Sequence, residues 1–357
     1  MSNKLKLLVL IVVTLLNTQG CIESNPSNAL EPKTDPLTGI IYSTTVLGTV
    51  PPYVDIVIDD TSFYFYDVDN NNICKMNKVT GQKKVLNVGN SSFRCLCHDA
   101  NYLYGHDVGD NSRSIYRIDK NFTTNPEQIF YSLEKMIYKV KAGGGYLYLQ
   151  LLGRTNLGQT QVEFCKYDFS KIDTIDVGVG YTWFDVDSEN VYWMPNDSLL
   201  NSTLWKMSHS SSVPVKLANQ GSYYSQMSES YIYFWNNDKN LLRASKQSSI
   251  VETIISVPVG FYDDNEFIIK DEKLFVTDYH DGTLRVCNLK SYKKRLVTLE
   301  KKGRYDDYEM NRWLWADKDA VYWIAGPNED TQPYDGQWGT LFRTVVKDSV
   351  VNHSDRW

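Results

Sequence analysis

Residues 183–207 read WFDVDSENVYWMPNDSLLNSTLWKM, and the fold is decided by how this stretch is read. It divides into three strands, WFDV, NVYWM and TLWKM. The polar turn Asp187-Ser188-Glu189-Asn190 joins the first two, and a looser loop joins the last two. The first pair alternates and is rich in aromatic and β-branched residues, a composition suited to a half-buried pleated surface.

The same unit recurs along the chain. Its apolar-aromatic-apolar centre appears at 63–65, 103–105, 147–149, 191–193, 232–234, 274–276 and 321–323, with the central aromatics 40, 44, 44, 41, 42 and 47 residues apart. A second mark follows each centre, a basic residue in an apolar strand: Lys75, Arg117, Lys166, Lys206, Arg243, Arg285 and Arg343. The interval between the two marks runs from 10 to 21 residues, as a surface loop between fixed strands would allow.

Short strands repeating every forty-odd residues point to a β-propeller, whose blades are four-stranded sheets around a channel. Fourth strands are predicted at KKVLNV, PEQIFYS, DTIDVG, PVKLAN, VETIIS and KRLVTL. The seventh copy lacks one, whereas Tyr42–Leu47 stands before the first copy as KKVLNV stands before the second. Closing the ring with that segment leaves no open sheet edge. The expected fold is therefore all-β: a seven-bladed propeller of four-stranded antiparallel blades, the last closed by the N-terminal strand.

Val191-Tyr192-Trp193, Ile232-Tyr233-Phe234 and Val321-Tyr322-Trp323, each after an Asp/Ser/Glu-rich turn, make residues 40–348 resemble the YWTD-like and TolB-like propeller repeats of secreted and envelope proteins. No copy carries the full Tyr-Trp-Thr-Asp string, and those relatives usually have six blades. The resemblance implies a fold rather than an activity, because propellers host many unrelated functions.

The chain opens with a basic start, an apolar run over 7–16 and Asn-Thr-Gln-Gly before Cys21. This describes an export signal over 1–20. Gly20-Cys21 resembles a bacterial lipobox, which implies lipidation at Cys21. Residues 21–38, rich in Pro, Asn and Ser, are expected to be a flexible tether, and 39–357 the propeller. The expected location is the cell envelope, lipid-anchored, on the periplasmic side or the surface.

A net charge of −6 with no long basic run argues against nucleic acid. Helical periodicity is nearly absent, so the lipid is the only expected membrane attachment, and the expected state is monomeric. After Cys21 the cysteines are Cys74, Cys95, Cys97, Cys165 and Cys287. An odd number cannot pair fully, and free buried thiols are expected. Asp67–Asn72 begins like a calcium loop, but it has Asn72 where such a loop needs Gly and Lys78 at the twelfth position; a turn is expected. His106 and His280 are expected in loops between second and third strands.

The segments entering blades six and seven share G-x-Y-D-D-x-E: Tyr262, Asp263, Asp264 and Glu266 in one; Tyr305, Asp306, Asp307, Tyr308 and Glu309 in the other. The longest loop between second and third strands, in blade seven, adds Tyr334, Asp335 and Trp338. Carboxylates beside exposed aromatics suit a cation such as calcium, a sugar or a basic peptide. No nucleophile, metal or dinucleotide pattern accompanies them. The reading is a binding or protein-interaction module with a protein or glycan partner, leaning away from an enzyme. The alternative is a carbohydrate- or lactone-active enzyme with a divalent cation at the channel mouth.

Overall fold

The computed structural model describes residues 33–34, 41–50, 56–67, 70–89, 93–107, 112–154, 160–175, 182–195, 203–219, 225–236, 240–256, 267–278, 283–289, 297–301, 314–325 and 339–347. They form a seven-bladed β-propeller. Blades one to six are four-stranded antiparallel meanders spanning 57–87, 93–131, 136–175, 182–218, 225–256 and 267–301. Blade seven is assembled from both parts of the chain: Leu314–Ala316, Val321–Ala325 and Gly339–Lys347 receive Ile41–Val50 as their fourth strand. Lys33–Thr34, inside the stretch read as tether, pairs with Tyr42 and Ile41 and adds a short fifth strand.

At five of the seven junctions the first strands of successive blades touch one another, so the blades run from the channel outward in chain order. Burial follows that order. The second strand of blade one, Ser62–Asp67, is buried throughout, whereas its fourth, Lys83–Asn87, is almost wholly exposed. Alternate residues of a strand face opposite neighbouring blades, which is why every blade needs apolar residues on both faces. In blade four, Val191 and Trp193 pack towards blade three, against Tyr148 and Phe164. Tyr192 and Met194 pack towards blade five, against Ile232 and Phe234.

The ring closure is anchored by buried polar contacts. Thr44 Oγ1 and Thr344 Oγ1 lie 3.0 Å apart, Trp323 Nε1 donates to Thr344 Oγ1 at 2.9 Å, and Tyr42 donates across to Leu299 O of blade six at 2.6 Å. Leu47 and Val50 of the N-terminal strand join the same apolar cluster as Phe63, Phe65 and Leu341, so blades seven and one share a core.

The described residues of the calcium-like segment, Asp67 and 70–72, make turn contacts. Asp67 accepts from Asn70 N and Nδ2 at 3.3 and 3.0 Å, and Asn71 takes a left-handed φ of 52°. His106 is not in a loop. It is buried within the second strand of blade two, Tyr102–Asp107, because that strand continues three residues past its central aromatic; His280 lies outside the described residues. Cys74, Cys97, Cys165 and Cys287 are buried thiols. Burial pushes the Cys97 thiol up to about 12 and the Cys165 thiol up to about 11, so neither is poised as a nucleophile.

Candidate functional site

An up-and-down blade sends its one–two and three–four turns to one face of the ring, and its two–three loops and blade-to-blade connections to the other. The two faces are called here the turn face and the loop face. The three segments carrying the predicted site all join strands at the loop face. The first runs from Val251–Ser256 to Phe267–Lys270, the second from Val297–Lys301 to Leu314–Ala316, and the third from Val321–Ala325 to Gly339–Lys347. They therefore start and finish in adjoining blades five, six and seven. Tyr262, Asp263, Asp264, Glu266, Tyr305, Asp306, Asp307, Tyr308, Glu309, Tyr334, Asp335, Trp338 and Cys21 themselves lie outside the described residues.

The turn face is described in atomic detail, and it shows what the repeated marks do. Asp59 sits five residues before the central Tyr64 of blade one. Its carboxylate accepts from Thr61 N and Ser62 N, both at 2.9 Å, from Tyr64 OH at 2.9 Å, and from Lys120 Nζ of blade two at 3.1 Å. The same arrangement recurs at Asp187, with Glu189 N, Asn190 N and Lys246 of blade five. It recurs again at Asp317, with Asp319 N, Ala320 N, Tyr322 OH and Lys78 of blade one. The lysines are buried, and each stands three residues after a basic mark.

The lysine marks of blades one, three and four add a second contact. Lys75 donates to Lys120 O at 3.1 Å and Lys206 to Lys246 O at 2.9 Å, while Lys166 donates to His209 O. At the one–two and four–five joints a blade thus holds the next by a side-chain ion pair and by a lysine on the main chain, at the seven–one joint by the ion pair, and at the three–four joint by the lysine. Burial alone pushes Asp59 up. The Thr61 amide, Lys120 and Tyr64 outweigh it and hold the carboxyl well below its usual range. Asp187 and Asp317 are lowered by the same balance. Burial, and then the neighbouring carboxylate, push Tyr64, Tyr104, Tyr192 and Tyr322 up, keeping each phenol a proton donor.

Where the aspartate or the lysine is missing, the joint is rebuilt from other chemistry. Asp99 of blade two holds Tyr104 OH at 2.6 Å, but the facing position in blade three is Phe169, whose ring lies 6.1 Å from that of Tyr104. Blade three has Gly143 in place of the aspartate, and His209 of blade four fills the space. Tyr148 OH donates to His209 Nδ1 at 2.8 Å, and His209 Nε2 donates to Asp187 O at 2.8 Å. Gly144 must be glycine: φ is +59°, and a Cβ there would stand 2.0 Å from His209 Cδ2.

A cleft of ≈ 540 Å³ opens at the blade one–two joint, lined by Asp59, Tyr64, Lys75, Tyr102, Asp119 and Lys120. Its charges are committed inward. Lys120 spans Asp59 and His98 Nδ1 (3.0 Å), and Asp119 caps Asn121 N and Thr123 N at 3.1 Å. The cleft is a joint seen from outside. Among the described residues no group of three or more His, Cys, Asp or Glu is placed to hold a metal ion.

No family model and no curated protein matches this chain. Solved structures match over most of its length. An oligogalacturonate lyase from Vibrio parahaemolyticus is 13% identical, covering 88% of this chain and 96% of that one, with a TM-score of 0.58. An oligogalacturonate lyase in complex with manganese is 12% identical, covering 89% and 96%, at 0.60. YCF48 bound to D1 peptide is 10% identical, covering 87% and 96%, at 0.52. At these identities the likeness is one of fold: the protein is a seven-bladed β-propeller, of a kind that in other chains carries either enzymatic or binding work.

Proposed function

We propose that this propeller is an exported binding module, anchored in the cell envelope through a lipid on Cys21, that engages a protein or glycan partner with its loop face. The observation carrying this reading is the division of labour between the faces. On the turn face the aspartates, lysines and tyrosines of the repeat are spent on holding blade to blade. The loop face receives the three segments richest in paired acids and aromatics, in adjoining blades. Tyr262, Tyr305, Tyr308, Tyr334 and Trp338 supply stacking surface for a sugar or a peptide side chain. Asp263, Asp264, Glu266, Asp306, Asp307, Glu309 and Asp335 supply acceptors for hydroxyls, a cation or basic groups. The YCF48 structure, with its bound peptide, supports a peptide as one class of partner.

A second reading, a carbohydrate-active enzyme using a divalent cation, draws support from the manganese-bound oligogalacturonate lyase of the same architecture. One experiment separates the two. The purified protein is melted with calcium, magnesium, manganese, zinc or EDTA, beside the variant in which Asp263, Asp264, Asp306 and Asp307 are all Asn. Both forms are then passed over glycan and peptide arrays. Ligands of the folded state raise the melting point by mass action. Array binding lost in the variant, with no metal shift, supports the binding module. A metal shift lost in the variant supports the enzyme. Unchanged behaviour in both assays refutes the assignment of these loops.

A further inference from the structure

We propose that the joint of blades three and four holds an internal hydration site, in which ordered water links the Gln150 amide of blade three to the Trp193 indole N–H of blade four. The site is built from described strands alone, apart from the loop-face segments and from the aspartate–lysine joints of the turn face.

Gln150 and Trp193 are each 1% exposed, and Gln150 Oε1, Gln150 Nε2 and Trp193 Nε1 have no hydrogen-bond partner. The two side chains face the same joint. Gln150 shares the side of its strand with Tyr148, which packs against blade four. In the cross-strand row it stands between Lys139 and Phe164. The facing row of blade four is Phe184, Trp193 and Trp205. The rows meet on both sides of Gln150. The Lys139 ammonium lies 5.0 Å from the centre of the Phe184 ring, and the Phe164 ring lies 4.8 Å from that of Phe184 and 5.9 Å from that of Trp193. The amide is therefore set down over the Phe184–Trp193 pair. Around it Ile175, Val191 and Met207 offer no polar group, and Lys139, on the first strand and half-buried, stands between the site and the channel.

A buried donor or acceptor left unmet is costly, and native interiors leave very few. This protein pairs other buried indoles. Trp183 Nε1 donates to Ser225 O at 3.0 Å, and Trp323 Nε1 to Thr344 Oγ1 at 2.9 Å. Blade seven is an internal control for blade four. Trp323 and Trp193 each follow the central tyrosine, and Thr344 pairs with Val321 as Met207 pairs with Val191. A methionine thus stands where the hydroxyl would be, and the Trp193 donor needs another acceptor. Gln150 does not bond it directly, since none of the three atoms finds a partner in the protein. The occupant must accept from the indole, donate to the amide oxygen and accept from the amide nitrogen, inside a closed aromatic wall. Water is the smallest group that does all three, and a buried water typically makes about three such bonds.

The test reads the wild-type chain twice, in a high-resolution crystal structure and by nuclear magnetic resonance of the nitrogen-15-labelled protein. The crystal should show solvent density within hydrogen-bonding distance of both Trp193 Nε1 and a Gln150 amide atom. In solution the Trp193 indole proton, assigned by its loss in Trp193→Phe, should show a nuclear Overhauser contact with water despite its burial. In Gln150→Leu that contact should disappear, because the water has lost its anchor on blade three. An amide bonded directly to the indole, an amide laid flat on a ring with no solvent between, or an indole proton without a water contact overturns the proposal. So does a water contact that is undiminished in Gln150→Leu. Should that variant fail to fold, the two wild-type measurements decide alone.

Discussion

Replacing Asp317 by Asn tests whether the inter-blade pairs hold the ring. Lys78 is buried, and its ammonium has the Asp317 carboxylate and, 5.6 Å away, the face of the Tyr322 ring. Asp317 accepts four hydrogen bonds: two backbone amides, Tyr322 OH and Lys78. An asparagine keeps an oxygen for the amides but turns its NH2 towards two donors and leaves a buried ammonium unpaired. Breaking a buried pair from this side costs about 3–5 kcal/mol. Lys78→Met is the milder change, because the carboxylate retains three donors and the methionine stem fills the lysine's space; about 1–2 kcal/mol is expected. The double variant should cost less than the sum by at least ~1 kcal/mol, the signature of a direct contact. Urea unfolding followed by tryptophan fluorescence measures all four proteins. The reasoning fails if Asp317→Asn costs less than about 1 kcal/mol, if Lys78→Met is the worse of the two, or if the effects add.

Further outcomes follow from the same joints. Asp59, Asp187 and Asp317 have folded-state pKa values below their unfolded ones. Their stabilisation is therefore complete above the unfolded value of about 4 and drains away as pH falls from there through the folded values; melting curves between pH 7 and 2 should be flat at first and then fall steeply. Gly144→Ala forces a Cβ into a left-handed residue against the His209 ring. A loss of roughly 2–4 kcal/mol is expected, part of it recovered on adding His209→Ala, as read by thermal unfolding. Cys74, Cys97, Cys165 and Cys287 should resist alkylation in the native protein and react only on unfolding, as mapped by mass spectrometry of iodoacetamide-treated samples.

The blade count and the closing strand were legible because they depend on periodicity alone: Tyr64, Tyr104, Tyr148, Tyr192, Tyr233, Phe275 and Tyr322 all sit in second strands. Even the exchange of Ile41–Val50 into blade seven could be read, since a missing strand at one place and a spare one at another have one economical solution. The joints were not read, although their signal is present. Asp59, Asp99, Asp187 and Asp317 each precede the central tyrosine by five residues. That spacing looks like ordinary turn chemistry until the lysine arrives from the next blade, some sixty residues along or, for Asp317 and Lys78, from near the other end. The misplacement of His106 has a related cause, since where a strand ends depends on its partners and not on its own composition. The loop-face acids belong to a different category: their doubled G-x-Y-D-D-x-E string is visible without any structure, and what it binds depends on chemistry the repeat does not encode.

The pairing of Thr44 with Thr344 spans 300 residues of chain, and this gives the ring a built-in proof of completion. During synthesis Ile41–Val50 emerges long before the rest of its blade, with only Lys33–Thr34 to pair with until Gly339–Lys347 follows it. Blades one to six can form in order while the ring stands open, displaying two raw strand edges to proteases and to other chains. A chain truncated before residue 339 never hides them. Only a chain that includes Gly339–Lys347 closes, and the same event buries Leu47 and Val50 at the joint of blades seven and one. Persistence of the folded ring thereby becomes conditional on synthesis having passed its last closing strand, Gly339–Lys347.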